Sequence, residues 1–187
     1  MTSSTTVQIP GYVVGTWDID PAHSTVGFSV RHMMVSKVRG YFREFSGEIV
    51  TAEDPSLSTV HAKVDMDSID TRQEQRDAHI KSADFFDTGN HTEMEFRSTA
   101  VRNHGEDWKV EGDLTIKGIT KPVVLDLELN GFGPDAYGGT RAGFSGKTEI
   151  SRKEFGVDID MPMDGGGVVV GDKISVELEI EAVLRTA

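Results

Sequence analysis

The stretch KISVELEIEAVL near the C-terminus alternates without a break: Ile174, Val176, Leu178 and Ile180 fall on one side, Ser175, Glu177, Glu179 and Glu181 on the other. Successive side chains of an extended chain point to opposite faces, so a period of two with one apolar face marks a half-buried strand. The same count holds along most of the chain. WKVEGDLTIK sets Trp108, Val110, Gly112, Leu114 and Ile116 against Lys109, Glu111, Asp113, Thr115 and Lys117. VVLDLELN sets Val123, Leu125, Leu127 and Leu129 against Asp126 and Glu128; RAGFSGKTEI turns Ala142, Phe144, Gly146 and Ile150 inward. Val60, Ala62, Val64 and Met66 form another such face, as do Met94 and Phe96, and STVGFSVRHMM reads Val26, Phe28, Val30, His32. In GYFREFSGEI the phase slips, Phe42 following one register and Phe45 and Ile49 the other, which predicts a β-bulge near Arg43 and Glu44.

One segment counts in helical steps. Thr71-Arg72-Gln73-Glu74 matches the capping box, and a short helix from about Arg72 to Ser82 is predicted after it, plugging or flanking one end of the sheet. One-sided antiparallel strands with so little helix to cover them must bury their apolar faces against each other, and a closed barrel also removes exposed edges. With 187 residues, no internal repeat and no visible boundary, the expectation is one all-β domain, a barrel in preference to a sandwich.

The net charge of −12 argues against a nucleic-acid partner and against adsorption to anionic lipid. Without cysteine there is no disulfide, thiolate metal site or cysteine nucleophile. No secretory leader and no bilayer-spanning run is visible, so the expectation is a cytoplasmic protein without stable membrane insertion, periplasmic or secreted if a leader has been trimmed away. No Gly-x-Ser-x-Gly elbow, His-Glu-x-x-His or Walker loop occurs. DIDMPMDGGG (Asp158, Asp160, Asp164) has the wrong spacing for a calcium loop, with Val169 where a bidentate Glu belongs. No catalytic residue, metal site or cofactor is expected. The twenty or so residues between Ser151 and Lys173 carry Met161, Met163 and Val168-Val169-Val170; a lid over the barrel mouth and a packed loop with its own small core both fit.

Among the histidines, His61 sits on an outward face, His104 in the turn NHGED, and His23 in DPAHS, where local hydrogen bonding is its expected role. His32 differs, because it continues an apolar face to the strand's end. Such a ring can meet a ligand's polar head or ligate a metal or haem; a hydrogen-bonded core histidine is the favoured alternative. Arg76, Asp77 and His79 on the helix read as a surface ion pair rather than an acid–base set.

Gly15-Thr16-Trp17 has the Gly-x-Trp form that opens lipocalin barrels, a weak signal alone. A longer set of blocks is more telling: WDIDPAHSTVGFSVRHM, VRGYFREFSGEI, RDAHIKSADFF, GDLTIKGITKPVVL, ISRKEFGV and VGDKISVELEIEA follow in order from about Trp17 to Ala182. In these the chain resembles the YceI-like, polyisoprenoid-binding proteins. The resemblance implies a lipocalin-like antiparallel barrel of about eight strands over residues 15–187, after a lead-in of residues 1–14. It also implies a tunnel for a long isoprenoid chain and no catalytic reaction. Asn90-His91 stands where relatives commonly have Tyr-Pro, and His91 has no assigned role.

The implied function is non-catalytic binding, transport or storage of an isoprenoid lipid, a polyprenyl phosphate or isoprenoid quinone. Burying each methylene-sized group of such a chain contributes about 0.8 kcal/mol. The candidate ligand-binding residues are Val26, Phe28, Val30, His32, Phe42, Val64, Phe96, Val110, Leu125, Leu127, Phe144 and Val176. Alternation does not tell which of them line a tunnel and which fill a solid end. Two other readings stay open: an enzyme holding an isoprenoid or quinone substrate with His32 or His91 as base, and a haem or metal barrel using His32. A homodimer stays open too.

Overall fold

The computed structural model describes residues 8–33, 35–159 and 170–186. Its strands are β1 (Gly15–Ile19), β2 (Thr25–His32), β3 (Ser36–Phe42), β4 (Phe45–Thr51), β5 (Thr59–Asp65), β6 (Ile69–Asp70), β7 (Glu93–His104), β8 (Asp107–Ile116), β9 (Ile119–Pro134), β10 (Thr140–Ser151) and β11 (Val170–Leu184). All pairings are antiparallel. The order β1-β4-β5-β7-β8-β9-β10-β11, with β1 returning to β11, closes an eight-stranded barrel.

Closure depends on the length of β11. Its C-terminal part pairs with β1 (Ala182 opposite Ile19), and its N-terminal part pairs with β2 (Glu179 opposite Thr25). Thus β1 and β2 lie end to end along β11, separated by a 3-10 turn at Pro21–His23, while β3 and β4 lie end to end beside them. The β2–β3 hairpin carries the sheet beyond the closed ring and ends in the short β6.

The phase slip at Arg43 and Glu44 is therefore a strand break rather than the predicted bulge. Phe42 pairs with Val26 and Ile69, whereas Phe45 pairs with Val64. Between them the Arg43 amide donates to Ser68 O (3.1 Å) and the Glu44 amide to Ser68 Oγ (3.0 Å), so no backbone donor is orphaned where the chain changes partners. Register shifts occur instead at Ser98/Ala100 of β7 and Gly143/Phe144 of β10. Lys117 and Gly118, both at positive φ (53° and 75°), form the two-residue turn between Ile116 and Ile119, the hairpin geometry that matches strand twist. His91 packs over that turn.

The helix α1 (Glu74–Lys81) lies inside the predicted span, but the capping box does not form. Gln73 takes the cap position without a side-chain bond, and Arg72 adopts φ 66°. Thr71 turns to Asp77 instead: its hydroxyl (2.5 Å) and amide (2.9 Å) both donate to Asp77 Oδ1. With its hydroxyl donating to Asp77 and accepting from Arg76 Nε, and with Gln73 at the cap position, Thr71 does not cap the first-turn amides. Arg76 also turns back, its Nε donating to Thr71 Oγ1 (2.8 Å) and its Nη2 to Thr71 O (2.6 Å). Both side chains are thus engaged with Thr71, not with each other as the surface-pair expectation had it.

The core has two parts. Trp17, Ile49, Ala142 and Ala182 fill one end of the barrel, with Val13, Ile19, Val60, Phe132, Phe144 and Leu184 around them. Val26, Phe42, Val64, Met66, Ile69, Ile116 and Phe155 fill the other, joined by Ile80 of α1 and by Phe86. Residues 8–14 belong to the first end. Tyr12 donates to Ala52 O (2.5 Å) and meets Phe132 edge-on, while Trp17 Nε1 donates to Thr51 Oγ1 (2.9 Å).

Candidate functional site

Between the two core clusters the barrel encloses a cavity of about 740 Å³, within the size range of small-molecule sites. The register explains its wall. Phe28 stands opposite Val176, Val30 opposite Ile174, Ala62 opposite Phe96, Val110 opposite Leu125 and Trp108 opposite Leu127. Residues directly opposite across a strand pair share a face, so each apolar alternation adds to one continuous lining. All twelve residues nominated from the sequence line this cavity: Val26, Phe28, Val30, His32, Phe42, Val64, Phe96, Val110, Leu125, Leu127, Phe144 and Val176. Val26, Phe42 and Val64 also belong to the buried cluster at the α1 end.

His32 closes the row on β2. It is only half-buried, and among the described residues no hydrogen bond reaches its ring. The favoured expectation of a hydrogen-bonded core histidine therefore does not describe its placement. His23 does bond locally, Nδ1 to Asp20 Oδ2 at 2.7 Å. His61 is half-exposed on the outside, with Nε2 3.3 Å from Glu95, and His104 ends β7.

Strand alternation missed the wall contributed by other elements. Ile9 and Tyr12 enter from the lead-in, and Gln73, Gln75, Arg76, His79 and Ile80 from α1 and its approach. Phe85 and Phe86 follow the helix, the His79 ring meeting Phe85 edge-on at 4.9 Å. Only the block RDAHIKSADFF signalled this region; its role as a wall depends on how α1 lies across the barrel.

Arg152 is the most buried charged group described, 3% exposed, in the 3-10 turn Arg152–Phe155. Its guanidinium donates to four carbonyls: Gly171 (2.9 Å), Val157 (2.7 Å), Ile159 (2.9 Å) and Val170 (3.2 Å). It thereby ties the segment after β10 to the start of β11 beside the cavity. The neighbouring stretch read as a lid or packed loop, with Met161, Met163, Val168 and Val169, lies outside the described residues, as do Asp160 and Asp164.

The electrostatics of wall and exterior differ. The chain has 31 Asp and Glu residues, and none lines the cavity among the described residues, whereas Arg31, His32, Arg76, His79 and Arg152 do. The carboxylates serve the outside. Arg141 Nη1 bridges Asp20 (2.8 Å) and Glu181 (3.0 Å), and its Nε bonds Asp135 (3.1 Å). The hydrogen bond from Arg141, helped by that from His23, holds the Asp20 carboxyl down to about 2. Arg185 likewise holds Asp18 below the usual range and reaches Glu48 at 3.0 Å. The ligand atoms of Asp20, His23 and Glu181 lie within 4.8 Å of one another, close enough for a cation, but Arg141 already occupies the oxygens a metal would use.

The chain matches the family model described as a YceI-like domain over residues 17–182. A UPF0312 protein of Photorhabdus laumondii is 39% identical over 145 residues, covering 77% of this chain and 76% of its own. The crystal structure of BcnA from Burkholderia cenocepacia superposes with a TM-score of 0.75 at 21% identity, covering 87% of this chain and 98% of that one. A Saccharophagus degradans structure, described as a polyisoprenoid binding domain implicated in plant cell wall breakdown, superposes with a TM-score of 0.70 at 14% identity, covering 92% and 100%.

Proposed function

The chain belongs to the YceI-like family, and from that premise we propose that its barrel binds a long isoprenoid-type lipid, for carriage or storage rather than conversion. The carrying observation is the cavity itself, about 740 Å³ walled by aliphatic and aromatic side chains with no carboxylate among the described lining. The likeness to a structure described as polyisoprenoid-binding supports the choice of ligand class. Taking the ~30 Å³ that a water molecule occupies in the liquid as the size of one chain carbon, the cavity holds roughly 25 such groups, about five isoprene units. The twelve strand residues named above are the proposed contacts for that chain.

The head group belongs at the polar part of the wall. His32, Gln73, Arg76 and His79 carry N–H groups there, and no acidic residue is among the described lining, although His79 Nε2 lies 3.4 Å from Asp84. A prenyl phosphate and a quinone both present acceptor oxygens, so a head of that kind is favoured over one that only donates.

Protein purified from cells without detergent, extracted into organic solvent and analysed by mass spectrometry, should release an isoprenoid lipid near one per chain. Phe28→Asp and Leu127→Asp should each abolish retention, because an unpaired charge in an apolar cavity is costly. Glu179→Lys, on the outer face, should leave it intact. Equal losses from all three would refute the assignment of faces. Recovery of a chemically altered ligand after incubation would replace carriage with catalysis, and a Soret band would replace it with haem binding.

A further inference from the structure

We infer that the β2–β3 hairpin is a docking element for an anionic lipid surface, placed at the rim of the cavity so that an apolar ligand passes between membrane and barrel. This rests on reading the barrel as a lipid binder, but the evidence for docking is separate. From Thr25 to Arg43 the chain carries Arg31, Lys37, Arg39 and Arg43 and no acidic residue, although the whole protein has a net charge of −12. Arg43 is paired with Asp70; the other three cations make no ion pair among the described residues. Arg31 stands directly opposite Lys37 in the register, and Arg39 follows on the same exposed face, opposite Ser29. Like charges facing each other across a strand pair weaken the pairing, and among the described residues no ion pair offsets that cost. The nearest carboxylates on β11 are otherwise placed: Asp172 accepts from Ser151 Oγ and the Lys153 amide, and Glu177 stands opposite Gly27. A negatively charged partner removes the repulsion.

The turn of the hairpin is apolar. Met33 is 44% exposed in a left-handed conformation, and Val35 is 87% exposed. Isolated exposed apolar residues are ordinary, but here the flanking His32 and Val38 line the cavity, so the turn is part of its rim. The opposite end of the barrel shows what a non-docking end looks like. Leu57 (70% exposed) and Tyr137 (90% exposed) stand there beside Glu53, Asp54 and Asp135, which an anionic bilayer repels. The net charge does not forbid the contact. Fields of exposed charges decay over about 10 Å at ordinary ionic strength, and the fifteen residues of β11 run roughly 50 Å along the strand, several such lengths even when tilted across the barrel.

The test is flotation of the full chain with vesicles of phosphatidylcholine alone or mixed with phosphatidylglycerol, free of isoprenoid. Binding should require phosphatidylglycerol and weaken as salt is added. Each basic residue contributes about 1 kcal/mol at such a surface, so Lys37→Glu with Arg39→Glu should lower partitioning at least about tenfold. Val35→Glu should lower it as well, and Leu57→Glu should not. None of these side chains lines the cavity, so uptake of an isoprenoid alcohol added directly in solution, and the denaturant midpoint, should stay at the wild-type level in all of them, which also certifies the fold. Partitioning without preference for phosphatidylglycerol, or hairpin variants that bind like wild type, would overturn the inference. So would a loss confined to Leu57→Glu. A barrel found empty of isoprenoid would overturn the proposed function instead, while the vesicle partition still decides docking.

Discussion

At the Trp17 end of the barrel the closure is made by packing: Trp17 is 1% exposed, Tyr12 and Trp17 meet Phe132 in T-shaped contacts, and Val13 packs against the cluster. Outside this end, Arg141 and Arg185 cross-link β1, the turn after it, β4, β10 and the end of β11. At the α1 end the helix has no fully buried residue, and Ile80 alone of its side chains joins the core there. Beside the buried apolar cluster, the wall at that end also carries Arg31, His32, Arg76 and His79. Both ends have a buried cluster, but at one the covering residues belong to it, and at the other α1 is laid over it. The difference marks α1 as the more weakly anchored of the two covers. Segments with few buried contacts unfold locally at low cost, and ligand passages are drawn from such segments.

Four measurements sharpen or break that contrast. Trp17→Ala should cost about 3–5 kcal/mol in denaturant unfolding, the loss expected of a fully buried large aromatic. Ile80→Ala should cost less than about 2 kcal/mol, because its site is only partly buried. Equal costs at the two ends would erase the distinction.

A smaller effect is expected in acid. A carboxyl lowered in the folded state contributes stability that is present above its unfolded pKa and is lost as pH falls towards the folded one. For Asp20 that window runs from the ordinary value of 3.8 down to about 2. Asp20 should lose its share of the folding stability across it, discounted by solvent screening to on the order of 1–2 kcal/mol, read as a fall in melting temperature. Asp20→Asn should be less stable at neutral pH and lack this fall; a parallel acid profile would take the ion cluster out of the closure.

The smallest change in stability is expected at the α1 end. His32→Ala should shift unfolding by no more than about 0.5 kcal/mol, because no hydrogen bond holds the ring. It should, however, discriminate poorly between prenyl phosphate, quinone and prenyl alcohol in competition for the cavity. A loss of about 1–3 kcal/mol with selectivity unchanged would make His32 a structural residue of the kind found at the sealed end.

The uneven legibility of the molecule follows the same division. Leu125, Leu127, Val110 and Phe144 were readable as lining because each strand states its inner face by alternation. Tyr12, Arg76 and Arg152 were not. They reach the same cavity from a lead-in, a helix and a 3-10 turn, where no period of two operates and the direction of a side chain depends on packing. The slip at Arg43–Glu44 was legible as an irregularity, but whether it is a bulge or a change of pairing partners depends on Ser68, distant in sequence. The Thr71 capping box failed for a comparable reason: Asp77, six positions on, and Arg76 hold the Thr71 hydroxyl, and the helix takes Gln73 as its cap.

What the amino-acid sequence determined by itself is the all-β class, the inner face of each strand and hence the apolar lining, because alternation is a local consequence of extended backbone geometry. What only the tertiary structure decided is the ring closure through one long β11, which end is sealed, and which charges meet. Those depend on register and on contacts between residues far apart in the chain, for which no local pattern carries the information.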